Sequence, residues 1–243
     1  MEVARRPRSS LFEAAIWAVV SVACYIAAQY VALAVISVLF SVGLRWQIES
    51  VNSLLAIRLA IYSITMALLA SAMWYRYRRF SLGDIALRYL PRWKDIGYSI
   101  LGILVYGALT ITVLSVVAGL VDLELKQAQD IGFSRLYGGD LLAAFLVLVV
   151  LTPFIEEVLF RGFLYSRLRL TALPWWVPAL VVSLLFGVAH GQWNVGIDTF
   201  CLSMVACALR EVTGSIWGGI ILHTAKNMLA FMLTFVFISG AAG

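Results

Sequence analysis

Charge is scarce in this chain of 243 residues. Only 13% of the residues are Asp, Glu, Lys or Arg, whereas 63% are hydrophobic. A soluble domain carries about twice that charged fraction, near 25%. Long uncharged runs satisfy their backbone groups in lipid only as helices, and they lack the short alternating segments of a membrane β-barrel. The sequence therefore predicts an all-α fold, a polytopic bundle of about seven to eight transmembrane helices.

Cysteine and histidine are also scarce, with three and two copies. Cys24, Cys201 and Cys207 lie inside apolar segments, so they indicate neither a disulfide framework nor metal-ligand spacing. We interpret them as small apolar residues in helix packing. The net charge of +5 comes from Lys and Arg clustered between the hydrophobic runs, where such residues set topology. We therefore expect membrane lipids as partners and no nucleic acid.

Hydrophobic runs and breaks follow one another along the chain and predict the helices. The runs cover residues 14–44, 51–74, 97–121, 141–169, 177–190, 197–209 and 215–238. Residues 81–90 predict a short helix on the membrane surface, ended by Pro91. Residues 191–196 begin and end with glycine and predict a turn.

The basic residues predict the orientation in the membrane. The most basic loop contains only two acidic residues, Asp84 and Asp95. Its basic residues are Arg76, Arg78, Arg79, Arg88, Arg92 and Lys94. Positive loops stay on the cytoplasmic side, and Arg5, Arg6 and Arg8 place the N-terminus there too. We expect an integral protein of the cell (inner) membrane with a cytoplasmic N-terminus.

Glu156, Glu157 and Arg161 end a run of residues, 141–153, that carries no charge. One ionisable group near the bilayer centre costs roughly 2.5–3.5 kcal/mol, so three together need a reason. Glu157 and Arg161 are four residues apart and can pair on one helix face. Glu156 is rotated about 100° from Glu157 and is free to point elsewhere. One carboxylate is predicted to be structural and the other available.

Both histidines also lie inside apolar helical runs. His190 follows Phe186 by four residues, and His223 precedes Asn227 by four, so each pair shares a helix face. In lipid, polar groups from three helices must face the bundle interior or a water-filled cavity. The competing interpretation is that the ion pair is structural and that the histidines and Asn227 are hydrogen-bonding groups in packing.

These side chains suit water-mediated amide hydrolysis without a covalent intermediate. Glu156 can act as general base, with His190 sharing and polarising the water. His223 and Asn227 can donate hydrogen bonds to a developing oxyanion. Two imidazoles and a carboxylate also match the ligand types of catalytic zinc, although the H-E-x-x-H spacing is missing. We expect no cofactor and no resident metal, with zinc as the open alternative.

Three motifs in order resemble those of a known family. They are Glu156-Glu157-x-x-x-Arg161, Phe186-Gly187-x-x-His190 and His223-x-x-x-Asn227. They look like the CPBP (CAAX protease and bacteriocin-processing, Abi-type) intramembrane glutamic endopeptidases, which include the type II CAAX prenyl endopeptidase. The resemblance covers about residues 141–234. It divides the chain into N-terminal membrane helices with the basic loop, residues 1–140, and a catalytic helical core, residues 141–238.

The resemblance implies a glutamate-dependent endopeptidase whose active site opens toward the cytoplasmic leaflet. Glu156 and His190 would activate water, and His223 and Asn227 would form the oxyanion site. The implied supporting residues are Glu157, Arg161 and Phe186, the last lining the cavity. The substrate would be a peptide or a lipidated protein, including CAAX-type prenylated tails. The alternative is a non-catalytic membrane scaffold or bacteriocin-immunity-type protein that keeps the motifs for packing.

Overall fold

Seven hydrophobic helices follow one another in the residues that the structure, a computed structural model, describes: 10–42, 50–77, 81–121 and 136–238. Five of them are long and apolar enough to cross a membrane. Their bounds are α1 Leu11–Ser41, α2 Val51–Tyr77, α3 Trp93–Leu120, α4 Gly138–Leu168, α5 Trp176–Val188, α6 Trp193–Thr213 and α7 Trp217–Phe231, which continues through Met232–Ile238. The predicted all-α membrane bundle is confirmed, and the chain is an integral membrane protein.

The orientation of the bundle stays a prediction. Arg5, Arg6 and Arg8 at the N-terminus lie outside the described residues, as do Arg78 and Arg79 of the basic loop.

The predicted surface helix over residues 81–90 is wrong in extent. The structure has one tight 3-10 turn, Leu82–Ile85. Asp84 closes it, because its Oδ2 accepts hydrogen bonds of 2.8 Å from both the backbone N–H and the hydroxyl of Ser81. Ala86 then adopts a left-handed conformation, with φ of 55°, which stops the helix.

The predicted turn over residues 191–196 is also too long, because α6 already begins at Trp193. Gly196 lies inside α6 and faces Gly187 of α5. A Cβ atom added to Gly187 would lie 2.7 Å from the Gly196 carbonyl oxygen, so only glycine permits this approach. The second glycine therefore serves helix packing, and α6 is 21 residues long instead of the predicted short segment 197–209.

Helix α4 departs from regular α geometry in two places, Leu146–Leu151 and Val158–Leu164. There the turns widen to i→i+5 hydrogen bonds, and Thr152 N–H donates to the Val147 carbonyl. Pro153 follows directly and has no N–H to continue the regular ladder. Such wide turns are rare in proteins as a whole, but those that occur are often found at functional sites. The Glu156-Glu157 pair lies between the two of them.

The chain divides into two compact units. The first comprises Met1–Trp17, Ser81–Gln129 and Glu156–His223, and the second comprises Ala18–Phe80, Asp130–Ile155 and Thr224–Gly243. The first unit has an apolar core of Phe186, Leu202, Val205, Leu209 and Leu222. The second has a core of Leu55, Leu136, Ala144, Val147, Val149, Phe231 and Phe235. The division at residue 140 that the sequence predicted by family signature stays a prediction.

Candidate active site

The imidazole of His223 lies between the two adjacent carboxylates of α4. Its Nδ1 is 3.1 Å from Glu157 Oε1, and its Nε2 is 3.7 Å from Glu156 Oε2. Glu156 thus faces the same imidazole as Glu157, while Arg161 pairs with Glu157. The two nitrogens lie on opposite sides of the ring, so one imidazole can face both carboxylates despite the rotation of about 100° between them.

Glu157 is fully buried and forms the predicted pair with Arg161. Glu157 Oε1 is 2.9 Å from Arg161 Nη1, and both side chains have 0% exposure. No guanidinium nitrogen of Arg161 is aligned for a hydrogen bond within the described part of the chain, so the attraction is chiefly between charges. The guanidinium also lies over the Phe186 ring, 4.4 Å from its centroid. Arg161 is thus held by a charge and an aromatic face.

Phe186 connects both histidines to the arginine. Its ring is 1% exposed and meets the His190 ring edge-to-face at 4.9 Å and the His223 ring at 5.8 Å. Phe160 contacts its ring at 4.8 Å. The sequence predicted Phe186 only as a cavity-lining residue. In the structure it fixes the relative positions of the groups around it.

The hydrogen-bond partners decide which ring nitrogen of each histidine carries hydrogen. His190 Nδ1 is 2.8 Å from the Phe186 carbonyl oxygen, and His223 Nδ1 contacts a carboxylate oxygen. Carbonyl and ionised carboxylate oxygens only accept, so Nδ1 must be the donor in both rings. In the neutral ring Nε2 is then an acceptor. Each Nε2 can receive a hydrogen bond from water, and His223 can donate to an oxyanion from Nε2 only after it gains a proton.

Gly219, one turn before His223 on α7, makes room for Glu157. A Cβ atom added there would lie 2.6 Å from Glu157 Oε2. That carboxylate oxygen is buried and has no hydrogen-bond partner in the described residues. The sequence analysis missed Gly219. Its signal was a glycine pair, Gly218-Gly219, near the start of the apolar helical run 215–238 that contains the histidine.

Asn227 belongs to the second unit, where its Nδ2 donates a hydrogen bond of 3.0 Å to the Leu148 carbonyl. That carbonyl has lost its regular helical donor: Thr152 N–H donates to Val147 instead, and Pro153 has no N–H. An unpaired carbonyl inside lipid is costly, so the Asn227 amide has a structural task in addition to its predicted catalytic one.

The structure therefore brings six of the seven predicted site residues together in the first unit: Glu156, Glu157, Arg161, Phe186, His190 and His223. The catalytic roles assigned to them and to Asn227 stay predictions. Over the described ranges, no group of three or more His, Cys, Asp or Glu side chains is arranged to hold a metal ion.

A second polar contact lies on α3 and α6 in the same unit. The Tyr106 hydroxyl donates a hydrogen bond to Asp198 Oδ1, and both side chains are partly buried. Tyr106 also packs against the apolar core that contains Phe186. This contact joins two helices and was not predicted from the sequence.

A salt bridge lies beyond the end of α4. Arg169 Nε and Nη2 bind the two carboxylate oxygens of Glu211 at 2.9 and 3.0 Å, and the Tyr165 hydroxyl donates to Glu211 at 3.0 Å. Partial burial opposes the charge of Glu211, but the hydrogen bonds from Arg169 and Tyr165 outweigh it and lower the pKa of Glu211. The same hydrogen bond raises the pKa of Arg169.

Comparisons with known proteins agree with the motifs. Residues 138–229 match the family model described as type II CAAX prenyl endopeptidase Rce1-like. An Escherichia coli protein described as "Uncharacterized 24.3 kDa protein" is 29% identical over 98 residues, which cover 38% of this chain and 45% of that protein. The match thus spans less than half the length of that relative. No solved structure matches the chain. The resemblance to the CPBP intramembrane proteases is confirmed over residues 138–229, where the chain matches the Rce1-like family model.

Proposed function

We propose that the protein is an intramembrane endopeptidase that hydrolyses a peptide bond with a water molecule activated by Glu156. The observation that carries this proposal is the position of His223. Its Nδ1 contacts one buried carboxylate, and its Nε2 faces another across a gap of 3.7 Å. That gap is too long for a direct hydrogen bond, and one water can bridge it.

The chemistry follows from the acceptors on both sides of this water. One hydrogen of the water points to Glu156 Oε2 and the other to His223 Nε2, which leaves an oxygen lone pair for the carbonyl carbon of the substrate. As the new C–O bond forms, Glu156 takes the proton. The tetrahedral intermediate then collapses, the C–N bond breaks, and the Glu156 carboxyl gives its proton to the leaving nitrogen. The two products are a carboxylic acid and an amine, and Glu156 is ionised again.

The remaining predicted roles belong to the proposal as well. His190 presents an acceptor Nε2 in its neutral form and is the second candidate to orient the water. Asn227 stays the proposed donor to the oxyanion. His223 joins it when its Nε2 takes the second hydrogen of the attacking water, which it returns as the intermediate collapses. Glu157, Arg161 and Phe186 fix His223 in place. We propose that no resident metal takes part, so a chelator should leave the activity unchanged and added zinc should not raise it.

The substrate is proposed to be a peptide or a lipidated protein, with CAAX-type prenylated tails as the first class to test. The family match supports this choice. The basic loop and the positive-inside rule support a site near the cytoplasmic leaflet of the inner membrane.

The test compares purified protein in nanodiscs with its Glu156→Gln variant, using prenylated and non-prenylated peptides that end in a CAAX sequence. Glu156→Gln keeps the shape and removes the base, so cleavage should fall by about 10²–10⁴-fold. Glu13→Gln, a carboxylate change on α1 outside the proposed site, should keep full activity. Equal cleavage by wild type and Glu156→Gln would overturn the assignment. Intact cellular function in a folded Glu156→Gln protein would instead favour the non-catalytic scaffold.

A further inference from the structure

Gly219 lies where helix α7 comes closest to the Glu157 carboxylate. A Cβ atom at this position would be 2.6 Å from Glu157 Oε2, 3.3 Å from Glu157 Cδ and 3.3 Å from the Ala206 Cβ. Real Cβ atoms essentially never show the first of these distances. The Ala206 contact is also tight, so the added methyl group is crowded by a second neighbour. Glu157 would have to withdraw.

Glu157 cannot withdraw without releasing His223. Its Oε1 is shared between Arg161 Nη1 at 2.9 Å and His223 Nδ1 at 3.1 Å, while its Oε2 lies against the helix at Gly219. All three charged or polar side chains are almost fully buried, with at most 3% exposure of the side chain. In such a buried site a polar group that loses its partner is costly. The carboxylate position is therefore set jointly by the arginine, the imidazole and the missing Cβ atom.

We propose that Gly219 is a positioning residue for the active site, and that it acts through Glu157 by fixing the hydrogen of His223 on Nδ1. This inference rests on the proposed function, because it assigns the resulting Nε2 lone pair to the catalytic water. With hydrogen on Nδ1, Nε2 accepts from water beside Glu156. With hydrogen on Nε2, the same ring would donate toward Glu156 and could no longer share the water.

The chain offers a matched control one residue away. A Cβ atom on Gly218 would meet Leu209 Cβ at 3.4 Å and the Ser99 hydroxyl at 3.7 Å, both ordinary contacts. Gly218→Ala and Gly219→Ala remove the same backbone freedom from the same turn of α7. Only Gly219→Ala crowds the Glu157 carboxylate. A difference in spectrum or activity between the two variants therefore reports the effect of that crowding.

The readout is the nitrogen NMR spectrum of protein labelled with ¹⁵N-histidine, because the shifts of the two ring nitrogens distinguish the tautomers. The chain has only two histidines, and a His190→Gln sample identifies the signals of His223. Spectra are recorded at a pH where the ring is neutral. Wild type and Gly218→Ala should show His223 with its hydrogen on Nδ1, and Gly219→Ala should lose this signature.

Peptide cleavage is measured on the same samples. Because Gly219 is proposed to act through Glu157 and not by binding the substrate, Gly219→Ala should lower kcat by about 10²-fold, the cost of a misplaced reacting group, and leave KM within about twofold. Gly218→Ala should keep the wild-type kcat.

Three results would overturn the inference. They are a wild-type His223 with its hydrogen on Nε2 alone, a Gly219→Ala protein with the wild-type spectrum, and a Gly219→Ala protein as active as Gly218→Ala. The first needs no variant and therefore decides the question even if Gly219→Ala does not fold. Failure of the proposed function appears separately, as cleavage by Glu156→Gln that equals wild type. In that case the spectra still decide whether Gly219 positions His223.

Discussion

The two units differ in the polar groups that they bury. In the first unit, the described residues include buried hydroxyls and also six buried carboxylate, arginine and histidine side chains: Asp95, Glu156, Glu157, Arg161, Arg167 and His223. In the second, the buried polar side chains are the hydroxyls of Ser53, Thr65 and Thr152. A hydroxyl can bond to a carbonyl of its own helix, as Thr65 does to Ile61. A buried charge needs a charged or hydrogen-bonding partner, as Glu157 has in Arg161 and His223.

This difference shows where the fold depends on specific partners. The second unit rests on apolar contacts, such as the edge-to-face pair of Phe145 and Phe231 at 5.5 Å. The first unit also buries charged side chains that each need a partner, such as Glu157, Arg161 and His223. Loss of one partner in the first unit should therefore cost more than loss of a single hydrogen bond in the second.

Arg161→Ala should give the largest effect. It leaves Glu157 buried without its charged partner, and breaking a buried pair costs about 3–5 kcal/mol. The measurement is the free energy of unfolding in mixed micelles. Arg169→Ala is the control, because that arginine is 31% exposed and its pair is worth about 0.2–1 kcal/mol. Equal losses of unfolding free energy in the two variants would show that a buried charge pair contributes no more to stability here than an exposed one.

Asn227→Ala should have the next largest effect, and it lies in the second unit. It leaves the Leu148 carbonyl without a donor, which costs about 1–3 kcal/mol. Pro153→Ala restores an N–H at the neighbouring position and should reduce the cost of Asn227→Ala in a double-mutant cycle. Strict additivity of the two changes would show that the carbonyl does not depend on Asn227. The unfolding free energy in micelles again gives the answer.

Tyr106→Phe tests an uncharged donor within the first unit. It removes the hydrogen bond to Asp198 and keeps the ring that packs on the core. Hydrogen bonds between membrane helices contribute about 0.6 kcal/mol on average and up to about 1.7. We expect a loss in this range from unfolding curves, with Tyr98→Phe as the control on the exposed face of α3. A loss as large as that of Arg161→Ala would contradict the expected order.

Glu211→Gln should have the smallest effect, and the effect should depend on pH. Hydrogen bonds from Arg169 and Tyr165 lower the pKa of Glu211 below the ordinary value of 4.5. A lowered pKa stabilises the folded state above the ordinary value, and this stabilisation disappears as pH falls through the lower folded-state pKa. The difference in Tm between wild type and Glu211→Gln should therefore be present at neutral pH, shrink as pH falls below 4.5 and vanish below the folded-state pKa. A difference that grows on acidification would contradict it.

The sequence predicted the helices well because hydrophobic run length is a strong signal in lipid. The pairing of Glu157 with Arg161 was also predictable, since it follows from a spacing of four residues on one helix. The contact of His223 with both carboxylates was not, because it depends on how α7 packs against α4. Periodicity within one helix carries no information on that packing.

The wide turns of α4 and the role of Gly196 were missed for related reasons. Pro153 indicates a lost donor, but not which carbonyl is left or that Asn227 supplies the replacement. The sequence does not distinguish the roles of Gly191 and Gly196. Only Gly191 is in the left-handed region, with φ of 68°, whereas Gly196 is needed because another backbone approaches it.

The contact between Gly187 and Gly196 limits how this site can be redesigned. Any side chain at Gly187 would push α5 away from α6. His190, three residues further on, would then move away from the α6 side of the site. Mutations meant to change the size of the proposed active site should therefore keep Gly187 and Gly196 and vary residues on other faces of α5 and α6. A library built on that rule should contain far more folded members than one that randomises Gly187 and Gly196.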